Sequence, residues 1–217
     1  MNEDDQLVLA FKGLEAANVS DALDKVGIRG QCRGISSLDP RAGTVIGRAC
    51  TVRIEPVSTP PKGTLGDYLD TVAPGDIVMI ANGGSTEFSV WGDIITRFAM
   101  ARKFGGTVID GVCRDTAKIL EVGYPMFSCG RFPQTGKGRL QVGAFAETVT
   151  IGGVRVEPRD IVVADASGVV CVPQAQALKV AEIAHDLIRV ESEMNAQIDS
   201  GKTMKEVWDH LKTLKKP

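Results

Sequence analysis

An α/β fold with a mostly parallel sheet is what this chain of 217 residues predicts, and three features carry the prediction. Apolar strand-like runs alternate with helix-like segments between residues 77 and 128, the order that produces parallel strands joined by crossover helices. One run, Ile77-Val78-Met79-Ile80-Ala81, is apolar without interruption, as a strand covered on both faces must be. Beyond residue 147 the pattern changes to two β-hairpins and then a helical tail. With 43% hydrophobic residues the chain can build one substantial core. A single α/β domain over residues 1–173 is expected, with a C-terminal helical extension over 174–217 that packs on the core or on a neighbouring subunit.

Taken in order, Leu7, Phe11 and Leu14 recur at helical spacing, which suits an amphipathic helix over residues 6–17. Asn18-Val19-Ser20-Asp21 interrupts it, and Ser20 caps a second helix from Asp21 to Val26 that Gly27 stops. Residues 27–34 read as a loop. Alternation over residues 43–55 gives strand structure with a kink or bulge at Gly47. Ser58–Lys62 is a Pro-rich loop, Leu65–Thr71 a short helix, and Pro74-Gly75-Asp76 a turn into the apolar strand 77–81. Residues 82–91 are too glycine-rich and polar at their start for a core element and read as a loop. A helix follows from Gly92-Asp93 to the Gly105-Gly106 stop, then strand Thr107–Asp110, helix Thr116–Glu121 and strand Tyr124–Ser128. Residues 130–139, with three glycines and three basic residues, read as a mobile surface loop. Residues 148–158 form a hairpin on Gly152-Gly153, and residues 160–173 a second hairpin turning at 166–168. Helix runs from Gln174 to about Ser200, and a last helix spans Met204–Leu214. Pro74-Gly75-Asp76-Ile77-Val78 and Pro158-Arg159-Asp160-Ile161-Val162 echo one another as a turn entering a buried strand, too briefly to make a repeat.

Composition excludes much chemistry. The formal net charge is −2, and Lys and Arg are scattered, so there is no basic stripe for a nucleic-acid backbone. The acidic start and the lack of an apolar run of about 18 residues argue against a signal peptide or membrane anchor, and a cytoplasmic location is expected. Five cysteines lie far apart with no C-x-x-C pair, and read as reduced, mostly buried side chains. His185 and His210 both sit in the tail, which leaves no His-based zinc site, catalytic triad or phosphohistidine. Neither a Walker A loop nor a G-x-G-x-x-G opening a helix is present.

What remains is concentrated between Val90 and Gly123, with Arg114-Asp115 at its centre. Two helix starts, at Asp93 and Asp115, flank the strand 107–110, and ligands in α/β folds collect where strand ends meet helix N-termini. Asp93 and Asp115 each also read as a plain N-cap, and spacing alone leaves the two readings level. Asp110 reads equally as a turn former. Arg114, in a loop a few residues long, needs an anionic partner, either a ligand or Asp115 or Glu121. An Arg for a carboxylate or oxyanion, one or two Asp for Mg²⁺ or Mn²⁺, and the amides of Ile94 and Ile95 together describe a site for a small 2-oxo acid and its enolate. Oxygen donors without His favour Mg²⁺ or Mn²⁺ over zinc.

Several segments carry a family resemblance: V-S-D-A-L at 19–23, G-R-A-C-T-V at 47–52, P-G-D-I-V at 74–78, W-G-D-I-I at 91–95, G-T-V-I-D-G-V-C-R-D at 106–115, G-Y-P-M-F at 123–127 and R-D-I-V-V-A-D-A-S-G-V-V-C-V-P at 159–173. Over most of residues 19–173 the chain resembles the 4-hydroxy-4-methyl-2-oxoglutarate / 4-carboxy-4-hydroxy-2-oxoadipate aldolase family, whose superfamily includes regulators of ribonuclease E activity. The resemblance implies a three-layer β/β/α swivelling-domain-like fold, assembled as homotrimers or hexamers with sites at subunit clefts. It implies class II pyruvate aldolase chemistry: cleavage of a 4-hydroxy-2-oxo diacid to pyruvate and a second 2-oxo acid, with oxaloacetate decarboxylation through the same enolate. Asp115 would then hold the divalent metal, Arg114 would bind the pyruvoyl group and steady the enolate, and Asp93 would order metal-bound water. Gly92, Asp93, Ile94 and Ile95 would receive the substrate carboxylate. A carboxylate from the neighbouring subunit's C-terminal region is also implied, for which Glu191, in register with the apolar stripe Ala184, Leu187, Ile188, Met194 and Ile198, and Glu193, on the solvated face, are the candidates. The non-catalytic regulators lose the Asp after the Arg and the G-D motif, and this chain keeps both. Methyl transfer to a quinone, another name attached to the family, finds no nucleotide-binding glycine loop here.

Overall fold

A computed structural model describes residues 3–60 and 63–214. In chain order its elements are α1 (Glu3–Ala10), α2 (Ala16–Val26), β1 (Gln31–Cys32), β2 (Ser36–Ser37), β3 (Val45–Pro56), β4 (Ile77–Ser85), α3 (Asp93–Ala101), β5 (Gly106–Cys113), α4 (Thr116–Glu121), β6 (Met126–Arg131) and β7 (Leu140–Phe145). There follow β8 (Val149–Ile151), β9 (Val154–Val156), β10 (Ile161–Asp165), β11 (Gly168–Val172), α5 (Ala177–Asp199) and α6 (Met204–Leu214). Short 3₁₀ turns occupy Leu69–Thr71 and Gln174–Gln176.

Strand β3 joins the parts. Its first residues pair antiparallel with β10, its middle pairs parallel with β4, and its far end pairs antiparallel with β7. From β4 the sheet continues in parallel through β5 to β6, and β10 continues through β11 to β1. The period-2 alternation of strand side chains sorts the core into layers. Ile77 and Met79 of β4, with Val108 of β5 and Phe127 of β6, face a core closed by the separate β8–β9 hairpin through Val149, Ile151, Val154 and Val156. Val78 and Ile80, with Ile109 and Met126, face the opposite core under α3 and α4. Val162 and Ala164 of β10 join the first core, while Ile161 and Val163 face α1, α2 and α5. The expected α/β fold with its β/β/α layering and helical C-terminus is what the chain adopts, but the sheet is mixed and not mostly parallel. Parallel pairing is confined to β3–β4–β5–β6, and the hairpin strands β10 and β11, with β1, β2 and β7, add to it antiparallel.

Some boundaries differ from expectation. The first helical break falls at residues 11–15 rather than 18–21, and α2 begins at Ala16 behind a capping box of Glu15 and Asn18. Phe11 and Leu14 keep helical spacing because they are buried from a turn, which hid the break. Gly47 does not kink β3, whose irregularity lies between Arg53 and Ile54 against β7. It is a place of close approach: a Cβ there would lie 2.4 Å from the Gly75 carbonyl oxygen. The loop expected from residue 82 is still strand to Ser85, and β5 runs past Asp110 to Cys113, so Asp110 is a buried strand residue and no turn former. Leu65–Thr71 is mostly turn with one 3₁₀ segment, and β1, β2 and β7 were read as loop or left unassigned. Residues 132–139 are not loose: Ser89 N–H donates to the Gln134 carbonyl and Gly136 N–H to that of Ser89. Pro61 and Lys62, the end of the Pro-rich loop, lie outside the described residues.

The five cysteines are unbridged, four of them buried and Cys129 half-buried. Among the described residues no helix is long and apolar enough to cross a membrane. The first half of α5 packs on the core through Ala177, Val180, Ala181 and Ala184, and Val207 and Leu211 of α6 are buried in turn.

Candidate active site

Helices α3 and α4 both start at the carboxyl ends of the parallel strands, and their first residues meet there. Gly92 is the N-cap of α3, in extended backbone, and Asp93 is the first helical residue. Asp115 caps α4 by position but makes no side-chain bond to its own helix. Instead its Oδ2 accepts the backbone N–H of Asp93 at 3.2 Å, so the carboxylate sits on the positive end of α3. The N-cap alternative is thereby answered: Asp115 is spent on the neighbouring helix. Its own backbone is left-handed, at φ 56° and ψ 32°, a conformation that Asp tolerates at a cost. Gly92 is required by the same contact, because a Cβ would lie 2.7 Å from Asp115 Oδ2 and 3.3 Å from the Arg114 side chain.

Arg114 is anchored through its backbone, whose N–H donates to the Trp91 carbonyl at 3.0 Å. Its Nε lies 3.6 Å from Asp115 Oδ2, and the two side chains are 40% and 31% exposed. That is a loose pair, which leaves the guanidinium facing the cleft instead of consuming it. Lys118, one turn into α4, donates to Asp93 Oδ2 at 2.7 Å. This bond holds the Asp93 carboxyl below the usual carboxylate value and raises the lysine in turn. Asp93 is therefore a weak base near neutral pH, suited to accepting a hydrogen bond and unsuited to taking a proton.

The floor is built by Trp91, buried and stacked on Tyr124 at 6.0 Å, with its Nε1 donating to Thr96 Oγ1 at 2.8 Å. Thr96 Oγ1 donates in turn to the Gly92 carbonyl at 2.9 Å, which fixes the turn before α3. Beside this floor opens a cleft of about 610 Å³, lined by Gly92, Asp93, Ile94, Ile95 and Arg114 on one side and by Val57, residues 63–66, Ser89, Thr135, Lys137 and Leu140 on the other. The first-turn N–H groups of α3, from Asp93 to Ile95, have no intrahelical partner and point out of the helix end.

The structure thus brings Gly92, Asp93, Ile94, Ile95, Arg114 and Asp115 together. It does not bring Glu191 or Glu193 to them: both lie exposed on α5, where Glu191 accepts a bond from Asn18 of α2 at 3.4 Å. Lys118, Trp91 and Thr96 escaped the sequence reading. For Lys118 a signal existed, since a lysine three residues beyond Asp115 returns to the N-terminal side of the same helix.

The ligating atoms near Asp115 are carboxylate oxygens, its own and those of Asp93, whose backbone N–H it accepts. No group of three His, Cys, Asp or Glu gathers among the described residues. A complete protein cage of the zinc type is therefore not made among the described residues. Mg²⁺ or Mn²⁺, which keep several waters and need one or two carboxylates, fit this donor set.

Comparison with known proteins agrees with the geometry. A family model described as RraA-like, Aldolase/RraA, matches residues 16–171. Protein DlpA of Legionella pneumophila is 32% identical over 197 residues, covering 88% of this chain but only 31% of DlpA. A Halalkalibacterium halodurans protein bearing the name "Putative 4-hydroxy-4-methyl-2-oxoglutarate aldolase" is 27% identical, over 78% of this chain and 77% of its own. Among solved structures, Streptomyces coelicolor RraAS2, described as an unusual member of the RNase ES inhibitor RraA family, superposes with a TM-score of 0.82 at 29% identity, over 90% of this chain and 98% of its own. With the match covering residues 16–171, and with them both halves of the cleft's charged edge, the chain belongs to the RraA-like, Aldolase/RraA family.

Proposed function

We propose that the chain is a divalent-metal-dependent pyruvate aldolase, a carbon–carbon lyase that cleaves a 4-hydroxy-2-oxo acid to pyruvate and a second carbonyl compound. The diacid in the relatives' name is the first substrate to try, and oxaloacetate decarboxylation through the same enolate is a second activity. The observation that carries the reading is the junction of Arg114, the strained Asp115 and the N-terminus of α3 at one edge of the cleft. The aldolase names among the relatives support it.

In this reading Asp115 would hold Mg²⁺ or Mn²⁺, which when bound supplies electrophilic polarisation of the 2-oxo group. The α3 amides of Ile94 and Ile95 receive the substrate carboxylate at the positive helix end. The Arg114 guanidinium, loosely paired and facing the cleft, donates to the oxygen on which enolate charge develops. Gly92 lets the substrate approach Asp115 and Arg114 without a side chain between them. Asp93, kept ionised by Lys118, orients a water at the same edge. Retro-aldol cleavage needs a base for the C4 hydroxyl proton and an acid for the pyruvate methyl, roles that a water held by Asp93 would share. Glu191 and Glu193 enter this reading only through a neighbouring subunit of a homotrimer or hexamer.

The test is pyruvate release from several 4-hydroxy-2-oxo acids and from oxaloacetate, with Mg²⁺ or Mn²⁺ added, beside Arg114→Ala and Asp115→Asn. Release that survives both substitutions sinks the site assignment. A non-catalytic, ribonuclease-binding role is the second reading, favoured by the inhibitor family of the Streptomyces neighbour. Co-purification with a ribonuclease E tests it independently of turnover.

A further inference from the structure

We propose that the substrate of this cleft carries an apolar substituent at C4 where the diacids carry a second carboxylate. The proposal rests on the aldolase reading above and narrows its substrate class. The cleft of about 610 Å³ is within the range that encloses drug-sized ligands, and Arg114 with the start of α3 occupies one edge of it. A pyruvoyl unit fills that edge. The remaining space is faced by Val57, Leu65, Leu140, Ile94 and the ring of Trp91. Ile94 is 76% exposed although it is a large aliphatic side chain, which leaves apolar surface open at the junction of the two regions.

Most polar side-chain atoms of this wall are already committed to the protein, the Thr135 hydroxyl as an acceptor only. Ser89 Oγ bonds the carbonyls of Phe132 and Gln134, both at 2.8 Å. Thr64 Oγ1 donates to Asp67 and accepts from Gly66 N–H. Trp91 Nε1 is taken by Thr96, and Thr135 Oγ1 accepts the N–H of Lys137 at 3.1 Å. A second carboxylate entering here would give up water for carbon, which a pocket of this kind rejects strongly. Among the described residues that line the far side Lys137 is the cation, and it stands on an exposed segment. An ion pair made in water there contributes weakly, whereas each buried methylene of an apolar substituent adds roughly fourfold in affinity.

The reaction is unchanged. The C4 hydroxyl proton leaves to a base, the C3–C4 bond breaks with its electron pair moving into the pyruvate enolate, C3 takes up a proton, and the second product is an apolar aldehyde or ketone.

The experiment compares kcat/KM for pyruvate release from 4-hydroxy-2-oxo-4-phenylbutanoate and from 4-hydroxy-4-methyl-2-oxoglutarate, using the full chain with Mg²⁺ or Mn²⁺. In parallel, calorimetry compares binding of the uncleavable 2-oxo-4-phenylbutanoate and 2-oxoglutarate. The phenyl compounds are expected to lead by at least tenfold in both measurements. Leu65→Lys is expected to shrink that lead at least tenfold through KM, and Leu65→Ala to shrink it less, each checked for folding by circular dichroism. A diacid equal to or better than the phenyl substrate, or a lead untouched by both Leu65 variants, overturns the proposal while leaving the aldolase reading intact. Pyruvate from neither substrate, with the phenyl ligand still bound tenfold tighter, overturns the reaction and keeps the pocket chemistry. Pyruvate from neither and no preference in binding overturns both.

Discussion

The parallel strands end in an Arg–Asp pair at each side of the sheet, and the two pairs differ in kind. At the amino ends, the turns Pro74-Gly75-Asp76 and Pro158-Arg159-Asp160 face one another, and Arg159 Nη1 donates to both oxygens of Asp76 at 2.8 and 2.7 Å. Asp76 there is 11% exposed, and Asp160 accepts the N–H groups of Glu157 and Gln174. At the carboxyl ends, Arg114 and Asp115 stand 3.6 Å apart, each about a third exposed, on a left-handed backbone. The same two residue types make a closed joint in one place and an open site in the other. Each pair carries one left-handed residue, Arg159 at φ 73° and Asp115 at φ 56°, so it is the ion pairing and not the backbone that differs. What separates them is satisfaction: charge consumed by its partner holds structure, and charge left over is available to a ligand.

Substitutions at the two ends should therefore separate activity from stability. The largest effect belongs to Arg114→Ala, which should lower kcat/KM for pyruvate release by roughly 10² to 10³ while leaving the urea midpoint nearly unchanged. Next is Gly92→Ala: a Cβ 2.7 Å from Asp115 Oδ2 must displace that carboxylate, and a roughly tenfold to hundredfold loss of turnover is expected with a small change in stability. Asp76→Ala is the converse. Removing the acceptor of the half-buried Arg159 should cost about 2 kcal/mol in urea unfolding, with activity per folded molecule retained. Equal behaviour of Arg114→Ala and Asp76→Ala in both assays would erase the distinction.

The smallest effect sharpens the open end. The folded-state value of Asp93 is lowered, mainly by its bond to Lys118, so whatever the pair adds is present above the ordinary carboxylate value of 3.8 and is lost as pH falls through the lowered one. Lys118→Met should move the Asp93 titration upward in carboxyl ¹³C NMR, and an unmoved titration would show that Lys118 does not set it. At the closed end, burial first and the Asp76 charge second push the Cys50 thiol up to about 12, so Cys50 should resist alkylation at pH 8 until the chain unfolds.

Local signals explain which elements were legible. α4 was read at Thr116–Glu121 and α6 at Met204–Leu214, because a polar start and a glycine or chain end bound each one. The β8–β9 hairpin announced itself through Gly152-Gly153. Strand β7 did not: Leu140-Gln141-Val142-Gly143-Ala144-Phe145 holds its place only by pairing with the far end of β3, which sequence spacing cannot show. The site divides in the same way. Gly92-Asp93 and Arg114-Asp115 are short motifs at helix starts and could be read directly. The apolar wall of Val57, Leu65 and Leu140 is assembled from separated segments, and a lysine such as Lys118 reads by itself as a solvated surface residue.

The left-handed backbone at residue 115 also narrows the vocabulary available to that position. Asn and Gly take φ near 56° at least cost, and other L residues adopt it only under strain, as Ala146 at φ 54° and Lys103 at φ 58° do elsewhere in the chain. An Asp115→Asn exchange thus keeps the backbone while removing the charge and one of the two acceptor oxygens, and Asp115→Ala adds backbone strain to the loss of the carboxylate. A library built at this site will therefore sort by backbone as well as by chemistry, with Asp, Asn and Gly enriched over β-branched residues in a folding screen before activity is ever measured.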